Sequence, residues 1–493
     1  MKLTVAKINQ LLEEAGLLVA QPDLEPSASF DFLHYDTRQV KANTLFVIKG
    51  AFKPEYLKNA PGIAALVTAE KMPVDLPQWL VKNSQKALAV LSMAFFDYPQ
   101  KQLWIGAITG TKGKTTAAYF AYQILKSATD NHTALFSTAD RITGPKPEDR
   151  HKSDLTTPES YELYKDMRKA VDNGMTHLMM EVSSQAYLLN RVYGLHFQVG
   201  AFLNISPDHI GPNEHPTFED YLAHKLMLFD NSEKVVVNAE SDHLTEIMAH
   251  ARAHHDKVYT YGKGGDFTYE SEESAVHESR FRVNDCELPE MVGDYRLNVP
   301  GDFNESNAMA ALIMTALAGA KHADMVKGLD QVVIPGRMLS MPIKQHGVAF
   351  VDYAHNYASL KALLTFAQGQ YPQGRVIVVL GAPGNKGVSR RADFGKVLGQ
   401  LADEVFLTSD DPQFEDPAVI AKEIEAHIQN DKLPVHYVQD RIEAIHEAVK
   451  AAGPEDIVVV AGKGEDPYQK IDGQDVPYIG DYAVVKAVKK QFD

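Results

Sequence analysis

Ala107-Ile108-Thr109-Gly110-Thr111-Lys112-Gly113-Lys114-Thr115-Thr116 is the stretch that decides the fold of this chain. The apolar run at 103–108 predicts a strand, the two glycines a tight turn, and 116–125 a helix. A strand that enters a helix through a glycine-rich loop is a phosphate cradle, because backbone N–H groups can approach phosphate oxygens and the helix N-terminus favours an anion. Lys114 is placed to reach the β and γ phosphates and the Thr115 hydroxyl to ligate Mg²⁺, so the expected ligand is ATP. The spacing is shorter than G-x-x-x-x-G-K-S/T. The reading rests on Lys114-Thr115 directly after the second glycine and on the apolar runs at both sides.

Outward from this loop, apolar strands at 177–180, 199–204 and 235–238 alternate with helical stretches such as 160–172, the pattern of a parallel sheet covered by helices. Upstream, helices at 5–15 and 84–96 and strands at 44–48 and 64–68 read as a small mixed domain that ends at Tyr98-Pro99. Downstream, a helix at 304–317 precedes Ile334-Pro335-Gly336-Arg337, a hinge into a further unit. That unit carries five apolar strands, at 349–352, 375–380, 404–408, 435–438 and 457–461, and reads as a second doubly wound sheet. The expected division is three α/β domains, 1–98, 99–335 and 336–493, which suits 493 residues at ~150 per domain.

A hydrophobic content of 45% is ample for such cores. The single cysteine, Cys286, excludes a disulfide framework and any cysteine-rich metal site. Glu13 and Glu14 interrupt the segment where a signal peptide would need an apolar core, and no uncharged apolar run reaches the ~18 residues of a membrane span. A cytoplasmic protein is expected. A net charge of −16 argues against a nucleic-acid or anionic membrane partner, while leaving room for small anions in local basic pockets.

Chemistry-bearing residues recur where strands end. Glu181-Val182-Ser183-Ser184 follows one apolar strand and places Glu181 at the edge where such sheets keep their ligands, as a candidate for Mg²⁺. Asn204-Ile205-Ser206-Pro207-Asp208-His209 repeats the arrangement and offers His209 as a second metal ligand. Lys225, in Tyr221-Leu222-Ala223-His224-Lys225, would become an anionic ligand if carbamoylated.

These motifs, with Gly301-Asp302-Phe303-Asn304-Glu305-Ser306-Asn307, Pro335-Gly336-Arg337, Asp352-Tyr353-Ala354-His355 and Gly462-Lys463-Gly464, resemble the Mur ligases in order and nearly end to end. Within that family the likeness is greatest to the member that adds the third residue of the muramoyl peptide. The resemblance implies three domains: a UDP-binding N-terminal one, a central one with a P-loop ATPase-like parallel sheet, and a Rossmann-like C-terminal one that takes the amino acid. It implies ATP held by Gly110, Thr111, Lys112, Gly113, Lys114, Thr115 and Thr116, with Asn304 and Asn307 near the adenine and Arg337 and Asp352 completing the site on closure. Thr115 and Glu181 would bind one Mg²⁺; His209 and Lys225, as N6-carboxylysine, would hold a second. Lys114, Lys225 and His209 are the implied catalytic set.

The muramoyl substrate, UDP-N-acetylmuramoyl-L-alanyl-D-glutamate, would meet Tyr35, Thr37, Ala51-Phe52-Lys53, Thr156, Thr157, Ser183 and Arg191, and the incoming amino acid would meet Arg391, Asp410, Asp411, Pro412, Gln413, Gly462 and Asp466. Four departures from the family pattern stand out. Ile210-Gly211-Pro212-Asn213-Glu214-His215 is about two residues longer than usual, leaving His215 without an assigned role; Leu339 replaces an acidic residue; Glu465-Asp466 replaces His-Glu; and Asp410-Asp411-Pro412-Gln413 replaces Asp-Asn-Pro-Arg. The last exchange removes a guanidinium suited to a distal carboxylate and adds a carboxylate suited to an ammonium, so the amino acid expected is L-lysine. Meso-diaminopimelate, ornithine, a folate-type substrate and a nucleotide-binding regulator that has lost chemistry remain alternatives at this stage. A monomer is expected.

Overall fold

The computed structural model describes residues 2–208, 210–211, 214–272, 278–299, 301–335 and 339–492. They cluster into two compact units, one formed by Met1–Glu272, Arg280–Leu297 and Asp302–Val332, the other chiefly by Val333–Asp493.

The first unit is built on an eight-stranded sheet. Its order is Arg150–Lys152, Asp140–Ile142, Thr133–Phe136, His177–Glu181, Trp104–Thr109, Phe197–Phe202, Ser232–Asn238 and Val258–Tyr261. The six strands from Thr133–Phe136 onward are mutually parallel; Asp140–Ile142 is added antiparallel at one edge, and Arg150–Lys152 pairs antiparallel with it in turn. Strands such as Trp104–Thr109 are continuous apolar runs because helices bury both faces of the sheet. Helix Lys114–Ala128 packs against Asp302–Leu317 and His322–Asp330. Gly328 allows that approach, since a Cβ there would stand 2.6 Å from the backbone of Ile124.

A second sheet in this unit runs Leu18–Ala20, Gln78–Val81, Ile63–Thr68, Thr44–Val47 and Phe32–His34, parallel except for Leu18–Ala20. Helix Ser84–Phe95 is buried nearly all round because this sheet covers one side and helix Ser160–Asp172 the other. Trp79, Leu88 and Leu91 therefore share one core with Leu163, Met167 and Leu178. That shared core is why the first 98 residues and the central sheet form a single compact unit. A small sheet of Tyr269–Glu272, Ser279–Val283 and Gly293–Leu297 was not foreseen from the sequence.

The second unit holds a six-stranded sheet in the order Leu339–Pro342, Val348–Asp352, Ile457–Ala461, Val376–Leu380, Glu404–Leu407 and Val435–Tyr437, all parallel except the first. The five expected strands are all present. Its buried centre includes an ion pair with both partners fully inaccessible: the Arg441 guanidinium meets both Asp481 oxygens at 2.7 Å, and the Tyr478 hydroxyl donates to Asp481 Oδ1 at 2.7 Å. No helix among the described residues is long and apolar enough to cross a membrane.

Candidate active site

In the first unit, register brings the strand ends together. Glu181 pairs with Ile108 and Phe202 with Thr109, so the segments after all three strands leave the sheet at one edge beside the glycine-rich loop. Gly113 caps helix Lys114–Ala128 with φ 79°, a left-handed conformation that glycine adopts without strain. A Cβ on Gly113 would also collide with the Asn307 side chain, so Asn307 lies directly against the loop. The loop is clamped from the neighbouring strand end. Lys112 N–H donates to Asn204 Oδ1 at 2.9 Å, Asn204 Nδ2 donates to the Lys112 carbonyl at 3.1 Å, and Thr111 N–H donates to the Asn204 carbonyl at 3.0 Å. Burial lowers the Lys112 pKa. Thr115 and Thr116 are buried in the first helical turn.

Two lysines converge on this loop. Lys114 Nζ donates to the carbonyls of Gly110 at 2.8 Å and Thr111 at 3.2 Å, and Lys225 Nζ donates to the same Gly110 carbonyl at 2.8 Å. Lys225 projects from helix Phe218–Asp230, is 2% exposed, and lies 4.7 Å from the centroid of the Tyr221 ring. Its pKa is held well below the ordinary lysine value, first by burial and then by the Lys114 charge, against the pull of Asp208.

Glu181 is fully buried at the end of its strand. Its Oε1 accepts from the Thr138 N–H at 2.7 Å, and its Oε2 lies 3.0 Å from the Thr138 hydroxyl, which also reaches Thr156 Oγ1 at 3.0 Å. Thr157 donates to the Glu181 carbonyl and accepts from the Ser183 N–H, both at 3.0 Å. Ser183 caps helix Ser184–Leu188 through the Ala186 N–H. Thr115 and Glu181 supply hard oxygen donors of the kind Mg²⁺ takes, whereas the amine of Lys225 would join such a set only as a carbamate.

Next to this group, buried Arg191 donates to Glu159 Oε1 through Nε at 3.0 Å and to the Thr157 carbonyl through Nη1 at 3.3 Å. Lys49 meets the other Glu159 oxygen at 2.8 Å and lies over the Tyr35 ring, 4.3 Å from its centroid. The Tyr35 hydroxyl donates to Glu162 at 2.9 Å, and burial together with Glu162 pushes its pKa up. Thr37 opens the short helix Thr37–Gln39, which Asp36 caps. A basic and acidic strip thus joins Tyr35 to Arg191, and its members Lys49, Glu159 and Glu162 carried no motif in the sequence.

In the second unit, Lys463 follows the strand Ile457–Ala461 and is buried among three carboxylates. Its Nζ lies 2.7 Å from Asp411 and 3.7 Å from both Asp410 and Asp466. Burial alone would lower its pKa; Asp410 and Asp411 outweigh that and hold it raised. Burial raises the pKa of Asp410. Asp411 also accepts the Lys470 N–H at 3.0 Å, and Gln413, at φ 55°, bridges to Ile471 through the main chain. Gly462, at φ 112°, leaves room for Asp410, whose Oδ2 would stand 2.9 Å from a Cβ there. Asp352 ends its strand alongside, its carbonyl accepting the Gly462 N–H at 3.1 Å. Arg391 donates to Glu423 at 2.6 Å and Glu415 at 2.9 Å, so a substrate carboxylate would have to share or displace those partners.

The structure therefore gathers Gly110, Thr111, Lys112, Gly113, Lys114, Lys225 and Asn307 around one loop, with Thr115 and Thr116 in the turn that follows. It places Glu181, Thr156, Thr157, Ser183 and Arg191 in one linked network, and collects Asp410, Asp411, Gly462 and Asp466 around Lys463. Asn304 is buried in helix Asp302–Leu317. His209 and Arg337 lie outside the described residues.

Residues 108–315 match the family model described as Mur ligase middle domain, and residues 336–464 match the one described as Mur ligase, glutamate ligase domain. The chain is 50% identical over 510 residues to the UDP-N-acetylmuramyl-tripeptide synthetase of Ligilactobacillus salivarius, covering 100% of both chains. It is 47% identical over 463 residues to the UDP-N-acetylmuramoyl-L-alanyl-D-glutamate--L-lysine ligase of Enterococcus faecalis, covering 92% of this chain and 91% of that one. Among solved structures, a UDP-N-acetylmuramoyl-L-alanyl-D-glutamate--2,6-diaminopimelate ligase superposes with a TM-score of 0.66 at 24% identity, over 100% of this chain and 99% of that one, a likeness of fold.

Proposed function

The chain belongs to the Mur ligase family, and we propose that it joins L-lysine to the D-glutamate side-chain carboxylate of UDP-N-acetylmuramoyl-L-alanyl-D-glutamate at the expense of ATP. Residues 1–98 take the uridine end, 99–335 the nucleotide phosphates and the dipeptide, and 336–493 the amino acid. Thr156, Thr157, Ser183 and Arg191 hold the dipeptide, with Tyr35 and Thr37 towards the nucleotide.

The observation that carries the reading is the pair of lysines on the Gly110 carbonyl. Lys114 belongs where a γ-phosphate would sit. Lys225, buried and shifted towards the neutral amine, is the form that adds CO₂, losing one proton to give a carbamate whose negative charge answers Lys114. Transfer of the γ-phosphoryl group to the substrate carboxylate gives an acyl phosphate. The lysine α-amine then attacks the acyl carbon and phosphate leaves, with Lys114 stabilising the charge that develops. Mg²⁺ bound by Thr115 and Glu181, and by His209 and carbamoylated Lys225, would supply charge neutralisation between two anionic reactants.

Choice of lysine is supported by the acidic surplus around Lys463, where three carboxylates face one ammonium. Amide formation assayed with ATP, the UDP-muramoyl dipeptide and a panel of amino acids tests the proposal. Lysine-dependent phosphate release is expected; release that ignores the dipeptide or the amino acid would refute it.

A further inference from the structure

His215 joins two segments that carry proposed site residues. Its ring is completely inaccessible. Nε2 lies 2.9 Å from Ser184 Oγ, and Nδ1 lies 2.6 Å from Asp220 Oδ2. Ser184 opens the helix directly after Glu181-Val182-Ser183, and Asp220 sits in the first turn of the helix that carries Lys225. The same helix reaches the phosphate loop through Tyr221, whose hydroxyl lies 3.0 Å from Thr111 Oγ1, and the His215 ring packs edge-on to Tyr221 at 5.3 Å between centroids.

An ionised Asp220 carboxylate can only accept, so Nδ1 donates to it; in the neutral imidazole Nε2 then presents a lone pair to which the Ser184 hydroxyl donates. His224 packs on the other side, its ring 5.1 Å from that of His215, and its Nδ1 donates to the Asp220 carbonyl at 2.8 Å and lies 3.4 Å from Asp220 Oδ2. The ligand-type atoms of His215, Asp220 and His224 fall within 4.8 Å of one another. Both ring nitrogens of His215 are already engaged by protein groups, however, which makes the triplet a relay rather than a cation site.

We propose that His215 is a positioning residue: through Ser184 on one side and Asp220 on the other it fixes the Glu181–Ser183 segment relative to the Lys225 helix. A rigid ring with nitrogens on two edges can make both bonds at once. This inference rests on the functional reading above. The ring contacts both the helix that Ser184 opens and the helix that carries Asp220.

The test compares the full-length wild type with Ser184→Ala, His215→Ala, His215→Asn, Asp220→Asn and the Ser184→Ala/His215→Ala double variant, each checked for folding by thermal melting. His215→Ala should lower kcat by about tenfold or more with KM for ATP within about twofold, since the loop is clamped independently by Asn204. His215→Asn, which keeps a donor towards Asp220, should recover part of the loss. The double variant should be no worse than His215→Ala, because both changes break the same bond. Losses that multiply, or a folded His215→Ala with more than about half the wild-type kcat, would overturn the proposal. NMR gives a readout free of catalysis. The wild type should show one strongly downfield imidazole N–H that moves upfield in Asp220→Asn; absence of that signal would also overturn the relay, whereas failure of wild-type lysine ligation alone would sink only the functional reading.

Discussion

Lys114 and Lys225 come from different helices yet donate to one acceptor, the Gly110 carbonyl, each at 2.8 Å. Burial, and after it the charge of Lys114 on the same oxygen, hold the Lys225 pKa well below the ordinary lysine value, towards the neutral amine. On the proposed function, this relationship would make Lys225 the amine that takes up CO₂.

Lys225→Ala should therefore be nearly inactive, with a loss of about 10²-fold or more in kcat, and a short carboxylate such as acetate should restore part of it. Only the neutral amine adds CO₂, so carbamate is lost as pH falls through the lowered Lys225 value and regained as pH rises. Added bicarbonate should stimulate most on the acid side. Retention of most activity by Lys225→Ala, or an unmodified amine found by intact-site mass measurement of active enzyme, would count against the carbamate.

Gly113→Ala tests the loop itself. An alanine at φ 79° costs about 1–2 kcal/mol, and its Cβ also meets the Asn307 side chain. ATP-analogue binding, followed by fluorescence, should weaken about tenfold or more. Adding Asn307→Ala removes the collision but not the backbone strain, so the double variant should bind the analogue more tightly than Gly113→Ala alone and more weakly than wild type.

Stability of the second unit should hinge on Arg441 and Asp481, which have no water to fall back on. Asp481→Ala leaves a buried guanidinium without its counter-charge and should cost about 3–5 kcal/mol in denaturant unfolding of that unit. Tyr478→Phe removes one donor to Asp481 and should cost about 1 kcal/mol. Near-equal midpoints for wild type and Asp481→Ala would contradict the burial argument.

Long apolar strands and the glycine loop were legible because parallel, doubly covered strands leave unbroken hydrophobic runs, and all five expected strands of the second unit appear. Helix Lys114–Ala128 begins two residues before the expected 116, since the first turn is stabilised by the loop rather than by apolar periodicity. The small sheet was missed although 279–283 alternate buried and exposed, as Phe281 between Arg280 and Arg282 shows. A single short alternation is a weak signal without its partners. Thr138 and Lys49 act through partners distant in sequence, Glu181 and Glu159, and no local pattern announces such pairs. Motif resemblance named Arg191 and Arg391 but gave no sign of Glu159, Glu415 and Glu423, which pair with them.

Specificity for lysine should follow the charge balance around Lys463. Asp411 does not face a substrate ammonium by itself, since its Oδ1 already takes Lys463 Nζ at 2.7 Å and the Lys470 N–H at 3.0 Å. Attraction comes from the group: Asp410, Asp411 and Asp466 surround one ammonium and leave a negative surplus when ionised. Asp411→Asn removes one of those charges and should raise KM for lysine, with a loss of about 1–3 kcal/mol in kcat/KM. Gln413→Arg leaves the backbone as it is, because φ 55° is equally demanding for either side chain, and adds a guanidinium able to take a distal carboxylate bidentately. The Asp411→Asn/Gln413→Arg variant should therefore move preference towards meso-diaminopimelate when the two amino acids compete in one amide-formation assay. Wild-type preference for meso-diaminopimelate would refute the assignment of lysine. An unchanged lysine preference in the double variant would show that discrimination does not lie in this acidic cluster.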